Sequence, residues 1–284
     1  MRLLFTSDLH GNVPHYGRLI AAAGIAKPSI VVLGGDLLPD DNATHPETLG
    51  MGQPAFVRGA FRKFIGDLRQ RAGVRDVLVI FGNHDWGSST AAMKELADDS
   101  LVQVLTHTAS TQVQGVNFTG YSYTPPTPWY VKDFERLDSP GDVPPLIGGA
   151  RWNLQFNRPV QNSAKIIYDG QMSIEADMKA LSPPAEPWVF VAHAPPHESK
   201  LDQSFGGQSY GSRSIREAIE VYQPMLSLHG HIHESPRVSG EWCEQIGRTL
   251  AVNPGQTTKL LSFALIEIDP AAKRIINREH GQQA

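Results

Sequence analysis

The 284-residue sequence contains a single cysteine, Cys243, so no intrachain disulfide can form. This usage fits a reducing compartment. No Cys–His partnership is visible near Cys243, which reads as a small, half-buried side chain. No stretch approaches the roughly 20 apolar residues of a spanning helix. The first apolar run is only Leu3 to Phe5, whereas the apolar region of a secretory signal needs about 7–15 residues. A cytoplasmic location with no membrane partner is therefore expected. No long basic run appears and the formal charge is −4, so electrostatics give no ground for tight non-specific nucleic-acid binding. No Gly-Lys dipeptide occurs, which excludes a P-loop. His197-Glu198 and His233-Glu234 lack the second histidine of a His-Glu-x-x-His zinc motif. Repeats, low-complexity tracts and an obvious linker are also missing, and one domain over residues 1–284 is expected, long enough to bury a large core.

What is present is a series of short apolar strands, each ending abruptly in polar residues. Residues 2–7 read as a strand that runs into Asp8-Leu9-His10-Gly11-Asn12. A helix over 14–24 follows, with Pro14 near its start and Gly24 at its end. The β-branched run 29–33 suits a strand buried on both faces and ends in Gly34-Gly35-Asp36. A polar loop over 39–52 leads to a helix over 55–71, with Phe56, Phe61, Phe64, Ile65 and Leu68 at helical spacing. The strand 76–81 ends in Gly82-Asn83-His84-Asp85. After a helix over 88–97 and shorter strands at 101–105 and 116–121, the pattern breaks from 122 to 171. That segment holds seven prolines with Trp129, Tyr130, Trp152 and Phe156 scattered among them. Its aromatic content argues against disorder, and it reads as an ordered excursion over one end of the domain. A helix over 173–181 returns the chain to the core. Strand 188–192 then ends in His193, a helix capped by Ser212 or Ser214 follows, and strand 225–228 ends in His229-Gly230-His231-Ile232-His233. Residues 250–252 run into Asn253-Pro254-Gly255, and a hairpin over 260–278 follows.

Five strands thus carry Asp8/His10, Asp36, Asn83/His84, His193 and His231/His233 at their tips. In open α/β sheets, sites gather beyond the carboxyl ends of strands, so these residues are expected to converge. In extended backbone, i and i+2 share a face, which would aim Asp8 with His10, and His231 with His233, at common points. The donor set is oxygen from Asp and Asn with nitrogen from His. It suits manganese, iron or zinc better than magnesium, which prefers oxygen shells.

The ordered blocks Asp8-Leu9-His10, Gly35-Asp36, Gly82-Asn83-His84-Asp85, His193 and Gly230-His231-Ile232-His233 resemble the calcineurin-like metallophosphoesterase superfamily. The resemblance extends over residues 8–233, and the 122–171 excursion belongs to no motif of it. It implies an α/β fold, a four-layer αββα sandwich of two mixed β-sheets flanked by helices. It also implies a di-metal phosphoric ester hydrolase holding two divalent ions. Asp8, His10 and His233 would bind one ion, Asn83, His193 and His231 the other, and Asp36 would bridge both. His84 would serve as general acid or transition-state donor, with Asp85 orienting its ring. A phosphodiesterase on a small or nucleotide-like substrate is the leading expectation. Phosphomonoesterase, pyrophosphatase and a non-catalytic scaffold of the same fold stand as alternatives.

Other residues carry two readings each. Asn12 could bond a phosphate oxygen or serve a turn, and His197 could touch substrate or lie on a solvated loop. Arg213, Arg151 and Arg158 could grip a second anion or be surface cations. Trp129 and Trp152 could stack on a base, but packing of the excursion onto the domain is favoured. His229 is out of phase with His231 and His233 and reads as structural.

Overall fold

The computed structural model describes residues 1–40 and 50–284. Most of the polar loop expected over 39–52 therefore lies outside the described residues. The elements in order are β1 (Arg2–Thr6), α1 (Val13–Ala26), β2 (Ile30–Gly34), α2 (Gly52–Phe56), α3 (Arg62–Ala72), β3 (Asp76–Ile80), α4 (Ser89–Asp98), β4 (Gln103–Val104), β5 (Thr111–Val113) and β6 (Val116–Tyr121). Then come β7 (Gly149–Asn153), β8 (Arg158–Asn162), α5 (Ala164–Tyr168), α6 (Ile174–Ala180), β9 (Trp188–Ala192), α7 (Arg213–Tyr222), β10 (Leu226–Leu228), α8 (Ser235–Ser239), β11 (Cys243–Ile246), β12 (Thr249–Val252), β13 (Leu261–Asp269) and β14 (Arg274–Gln283).

Two six-stranded mixed sheets form, in the orders β14-β13-β1-β2-β3-β4 and β11-β12-β10-β9-β6-β5. The continuous apolar runs are explained by burial on both faces. Leu3, Phe5, Ile30, Val32, Leu78 and Ile80 point between the sheets, where they meet Val189, Val191, Leu226 and Leu228. The alternate residues Leu4, Val31, Leu33, Val77 and Val79 point outward to α1, α3 and α4. On the second sheet, Trp188, Phe190 and Ala251 face α6 and α7. The chain is thus an αββα sandwich. No helix among the described residues is long and apolar enough to cross a membrane.

Local departures from expectation have local causes. Helix α1 runs past Gly24 to Ala26 and is closed by Lys27 in left-handed backbone, whose N–H reaches the Ala23 carbonyl (2.8 Å). A glycine inside a helix costs only about 1 kcal/mol, and the packing of Ala22, Ala23 and Ala26 against the core outweighs it. The helix expected over 55–71 is broken by a π-helical turn at Val57–Phe61, which joins α2 to α3. Ser212 rather than Ser214 caps α7, accepting from the Ile215 N–H (3.0 Å).

The 122–171 segment is ordered by polar contacts of its own. Strands β7 and β8 pair as an antiparallel hairpin. Lys132 and Glu135, 1% and 0% exposed, form an ion pair at 2.9 Å. The Lys132 ammonium also donates to the Thr127 carbonyl (2.7 Å), while the Thr127 and Tyr168 hydroxyls donate to Glu135. The segment is tied to the core through Arg136, which pairs with Asp177 of α6. Asp138 receives the Ser212 hydroxyl and the Arg213 N–H at the start of α7.

Candidate metal centre

The strand ends β1, β2, β3, β9 and β10 deliver their polar residues to one place. His10 Nε2 lies 3.3 Å from His233 Nε2 and 3.9 Å from Asp36 Oδ2. Asp8 Oδ1 is 3.2 Å from His233 Nε2 and 3.9 Å from His193 Nε2. His193 Nε2 is 3.3 Å from Asp36 Oδ2. Among the described residues, three groups are compact enough to hold an ion, Asp8/His10/Asp36/His233, Asp36/His193/His231 and His10/Asp40/His84, and Asp36 is common to the first two.

The route to this convergence differs from the extended-strand argument. β1 stops at Thr6, and Asp8, His10, Asp36 and His231 all have left-handed backbone, with φ of 58°, 45°, 51° and 68°. Such a conformation costs an L-residue about 1–2 kcal/mol, and its clustering here marks a constellation imposed by the surrounding fold. The side chains meet because the backbone turns back on itself, with Asp8 N–H bonded to the Gly35 carbonyl and His10 N–H to the Asp36 carbonyl. Two glycines permit the close approach. A Cβ on Gly82 would collide with Asp36 Oδ1 and fall 2.6 Å from His193 Nε2, and one on Gly230 would strike Ser7 and Asp8.

The hydrogen bonding leaves the inward-facing atoms bare. His193 Nδ1 contacts the Gly34 carbonyl at 2.8 Å, which places the proton on Nδ1 and leaves Nε2 as a donor of its lone pair. Among the described residues, Asp36 Oδ2, Asn83 Oδ1 and His193 Nε2 are buried without any hydrogen-bond partner. Buried polar atoms are ordinarily hydrogen-bonded, and these three are all of metal-ligand type, two of them facing each other at 3.3 Å, which fits a bound cation. Electrostatics agree. Burial opposes charge on His10 and His193, yet the carboxylates of Asp40, Asp36 and Asp8 around His10, and of Asp36 and Asp8 around His193, push each imidazole up to about 9. The carboxylates thus attract positive charge, here as protons. Burial pushes His231 down to about 3, which keeps it neutral.

Asp40, which carries no motif, stands beside the cluster. Its Oδ1 is 2.8 Å from His84 Nδ1 and 3.3 Å from His10 Nδ1. Burial alone would raise this carboxyl, but the two histidines hold it well below the usual carboxylate range. The His84 N–H donates to Asp36 Oδ1 (2.8 Å). Trp129 from the 122–171 segment stacks on the His84 ring, centroids 4.1 Å apart and planes 15° from parallel. As the packing reading expects, Trp129 and Trp152 both pack against Trp86, Val131 and Ala150, and Trp129 in addition lies on a site residue.

One expected contact is absent and the other candidates fall into place around the cluster. Asp85 does not touch the His84 ring. Its carboxylate folds back under its own turn to accept from the Gly82 N–H (2.9 Å) and the Leu38 N–H (3.0 Å). Burial, and then Asp36, push it up to about 7. Asn12 is turned to the α1 N-terminus, where its Oδ1 caps the His15 N–H (3.4 Å). The Arg213 guanidinium is engaged by Asp142 and Asp138, and that of Arg151 by the Lys132 and Glu135 carbonyls and Gln171. His197 lies 3.6 Å from Asp202 and lines a cavity of about 790 Å³ that His231 also borders. His229 is buried between the Ala192 and Ala194 carbonyls and Ser227 Oγ, with burial pushing it down to about 4. Two supports lie late in the chain. Asn253 donates to the Leu201, Gly230 and Ile232 carbonyls, and Gln256 links the Ser7 carbonyl to the Ser262 N–H.

Comparison with known proteins places this geometry in context. A family model described as calcineurin-like phosphoesterase matches residues 1–235. The chain belongs to the calcineurin-like phosphoesterase family, a class of metal-dependent hydrolases of phosphate esters. Searching the curated proteins returns no match. The fold is similar to a Thermus thermophilus protein, TT1561, at 16% identity and a TM-score of 0.57, with 99% of this chain and 97% of that one covered. It is also similar to a dimetal phosphatase from Danio rerio at 11% identity and a TM-score of 0.54, covering 100% and 98%. A putative 5'-nucleotidase from Staphylococcus aureus aligns at 14% identity and a TM-score of 0.51, over 99% of this chain and 53% of its own.

Proposed function

We propose that the protein is a two-metal phosphodiesterase acting on a small phosphorylated substrate. The observation that carries the reading is the set of three unpaired buried ligand atoms, Asp36 Oδ2, Asn83 Oδ1 and His193 Nε2, at the joined strand ends. Asp8, His10 and His233 would hold one divalent ion, Asn83, His193 and His231 the other, and Asp36 both. Manganese, iron and zinc all suit this donor set. When bound, such a pair supplies Lewis-acid activation of water and of the phosphoryl group.

The chain's own residues do the rest. The Gly34 carbonyl fixes the His193 tautomer, and Asp40 does the same for His10 by facing its Nδ1. Asp40 also engages His84 Nδ1, so that in the imidazolium form the proton on Nε2 is the one that passes to the departing ester oxygen, leaving the ring neutral with its remaining proton on Nδ1 against Asp40. Trp129 holds that ring in one plane. The adjoining cavity of about 790 Å³ offers room for a second ester arm and is of small-ligand size. This favours a diester over a monoester or pyrophosphate. A panel of monoester, diester, cyclic-nucleotide and pyrophosphate substrates under manganese, iron and zinc tests the reading. Diester turnover should exceed the rest. Protein that holds two metals yet hydrolyses none of them would refute it.

A further inference from the structure

We propose that the cavity beside the ligand cluster is a subsite for the second ester arm, and that it selects an uncharged or cationic arm against an anionic one. This inference rests on the phosphodiesterase reading above.

The position follows from what borders the cavity. At one side it meets His231 and Ile232 of the ligand loop, and at the other Thr127 and Pro128, which precede the tryptophan stacked on His84. An arm attached to a phosphoryl group at the cluster therefore has this space directly before it. Pro125, Pro126 and Pro145 contribute rigid apolar walls that need little ordering on binding.

Its charge is one-sided. Three carboxylates, Asp138, Asp142 and Glu234, line it against one guanidinium, Arg213, and no lysine lines it. That guanidinium is already committed. Arg213 Nη2 lies 2.7 Å from both oxygens of Asp142, and its Nε lies 3.3 Å from Asp138 Oδ2. Asp138 is further satisfied by the Ser212 hydroxyl and the Arg213 N–H, so it is a fixed part of the wall. Among the described residues Glu234 is held by the Phe205 N–H alone, at 3.4 Å, which leaves its charge largely for an occupant. A second phosphate or carboxylate would enter against this field and find, among the described residues, no unpaired guanidinium or ammonium, the His197 imidazole of the wall itself lying 3.6 Å from Asp202. A hydroxyl or amine would find acceptors, and an ammonium would find compensating charge.

The test measures binding of three non-hydrolysable phosphonate monoesters to the metal-loaded full chain by calorimetry. Their arms are trimethylammonioethyl, propyl and carboxyethyl. The cationic arm should bind about tenfold tighter than the anionic one, with the propyl arm between them. Glu234→Gln should narrow that ratio about threefold, and Asp142→Asn by more, because it also releases Arg213. Equal affinities, an anionic preference, or a ratio unchanged in both variants would overturn the subsite. Turnover of the matching p-nitrophenyl diesters is followed in parallel. The predicted order without turnover supports the subsite and removes the phosphodiesterase reading, whereas turnover without the order removes the subsite alone.

Discussion

At the strand ends the two sheets fix the backbone, and the side chains are left with unmet polar atoms. Among the described residues, Asp36 Oδ2, Asn83 Oδ1 and His193 Nε2 have no hydrogen-bond partner. Around Lys132 and Glu135 in the 122–171 segment the relation is reversed. Little regular structure holds the backbone, and buried side chains supply the order. Lys132 and Glu135 satisfy each other, Thr127 and Tyr168 complete Glu135, and Arg151 ties the Lys132 and Glu135 carbonyls. The contrast separates two uses of buried polarity. Where polar groups close on one another, they build structure. Where they are held open by a rigid frame, they await a ligand. Trp129 is where the two regions meet: the segment lays it on His84, and its indole nitrogen, like Thr124 Oγ1, is buried with no hydrogen-bond partner among the described residues.

Substitutions can break either side of this comparison. The largest effect is expected at Asp36, the residue common to both ligand groups. Asp36→Ala should cut turnover by about 10⁴-fold or more and lower bound metal toward one ion or none, read by elemental analysis. Retention of two ions at full activity would remove Asp36 from the centre. Next is Lys132→Met, which leaves Glu135 buried without its counter-charge and should cost about 3–5 kcal/mol. Denaturant unfolding gives the total, and hydrogen exchange should show the loss confined to the 122–171 segment. Uniform loosening of both sheets would mean that the segment is not separately ordered.

Asp40→Asn should act more gently, weakening metal affinity about 10–100-fold through His10 while the fold stays intact. Competition with a chelator measures this. The smallest effect belongs to Asn12→Ala. Loss of the α1 cap should cost about 1 kcal/mol of stability with KM unchanged. A large rise in KM would return Asn12 to the substrate.

The same contrast explains what could be read in advance. The convergence of Asp8, His10, Asp36, His193, His231 and His233 was legible because metal chemistry restricts residue type, and because buried parallel strands announce where they end. The geometric reason for their meeting was not legible. Left-handed φ at Asp8, His10, Asp36 and His231 comes from contacts between chain turns, and no periodicity carries it. Asp40 was invisible for a related cause. It lies four residues after Asp36, and its importance is set by His84 from another strand. Asp85 sits next to His84 in sequence, yet tight turn geometry sends its carboxylate to the Leu38 and Gly82 amides. The π-helical turn at Val57–Phe61 and the Lys132–Glu135 pair were equally hidden, since both depend on tertiary packing.

The pairing of β1 with β13 has a consequence for how the molecule is made. Leu3, Leu4 and Phe5 face Ile266, Leu265 and Ala264 across an antiparallel ladder, so the first strand waits for a partner synthesised some 260 residues later. His233 and the Asn253 and Gln256 braces also arrive late. During synthesis, β1 and β2 have an open edge and the ligand cluster lacks a side. Contacts this distant in sequence form slowly, and unpaired edges invite misassembly. The last quarter of the chain is thus expected to act as the closing step of folding. A release assay on stalled nascent chains should find metal retention only once β13 has emerged.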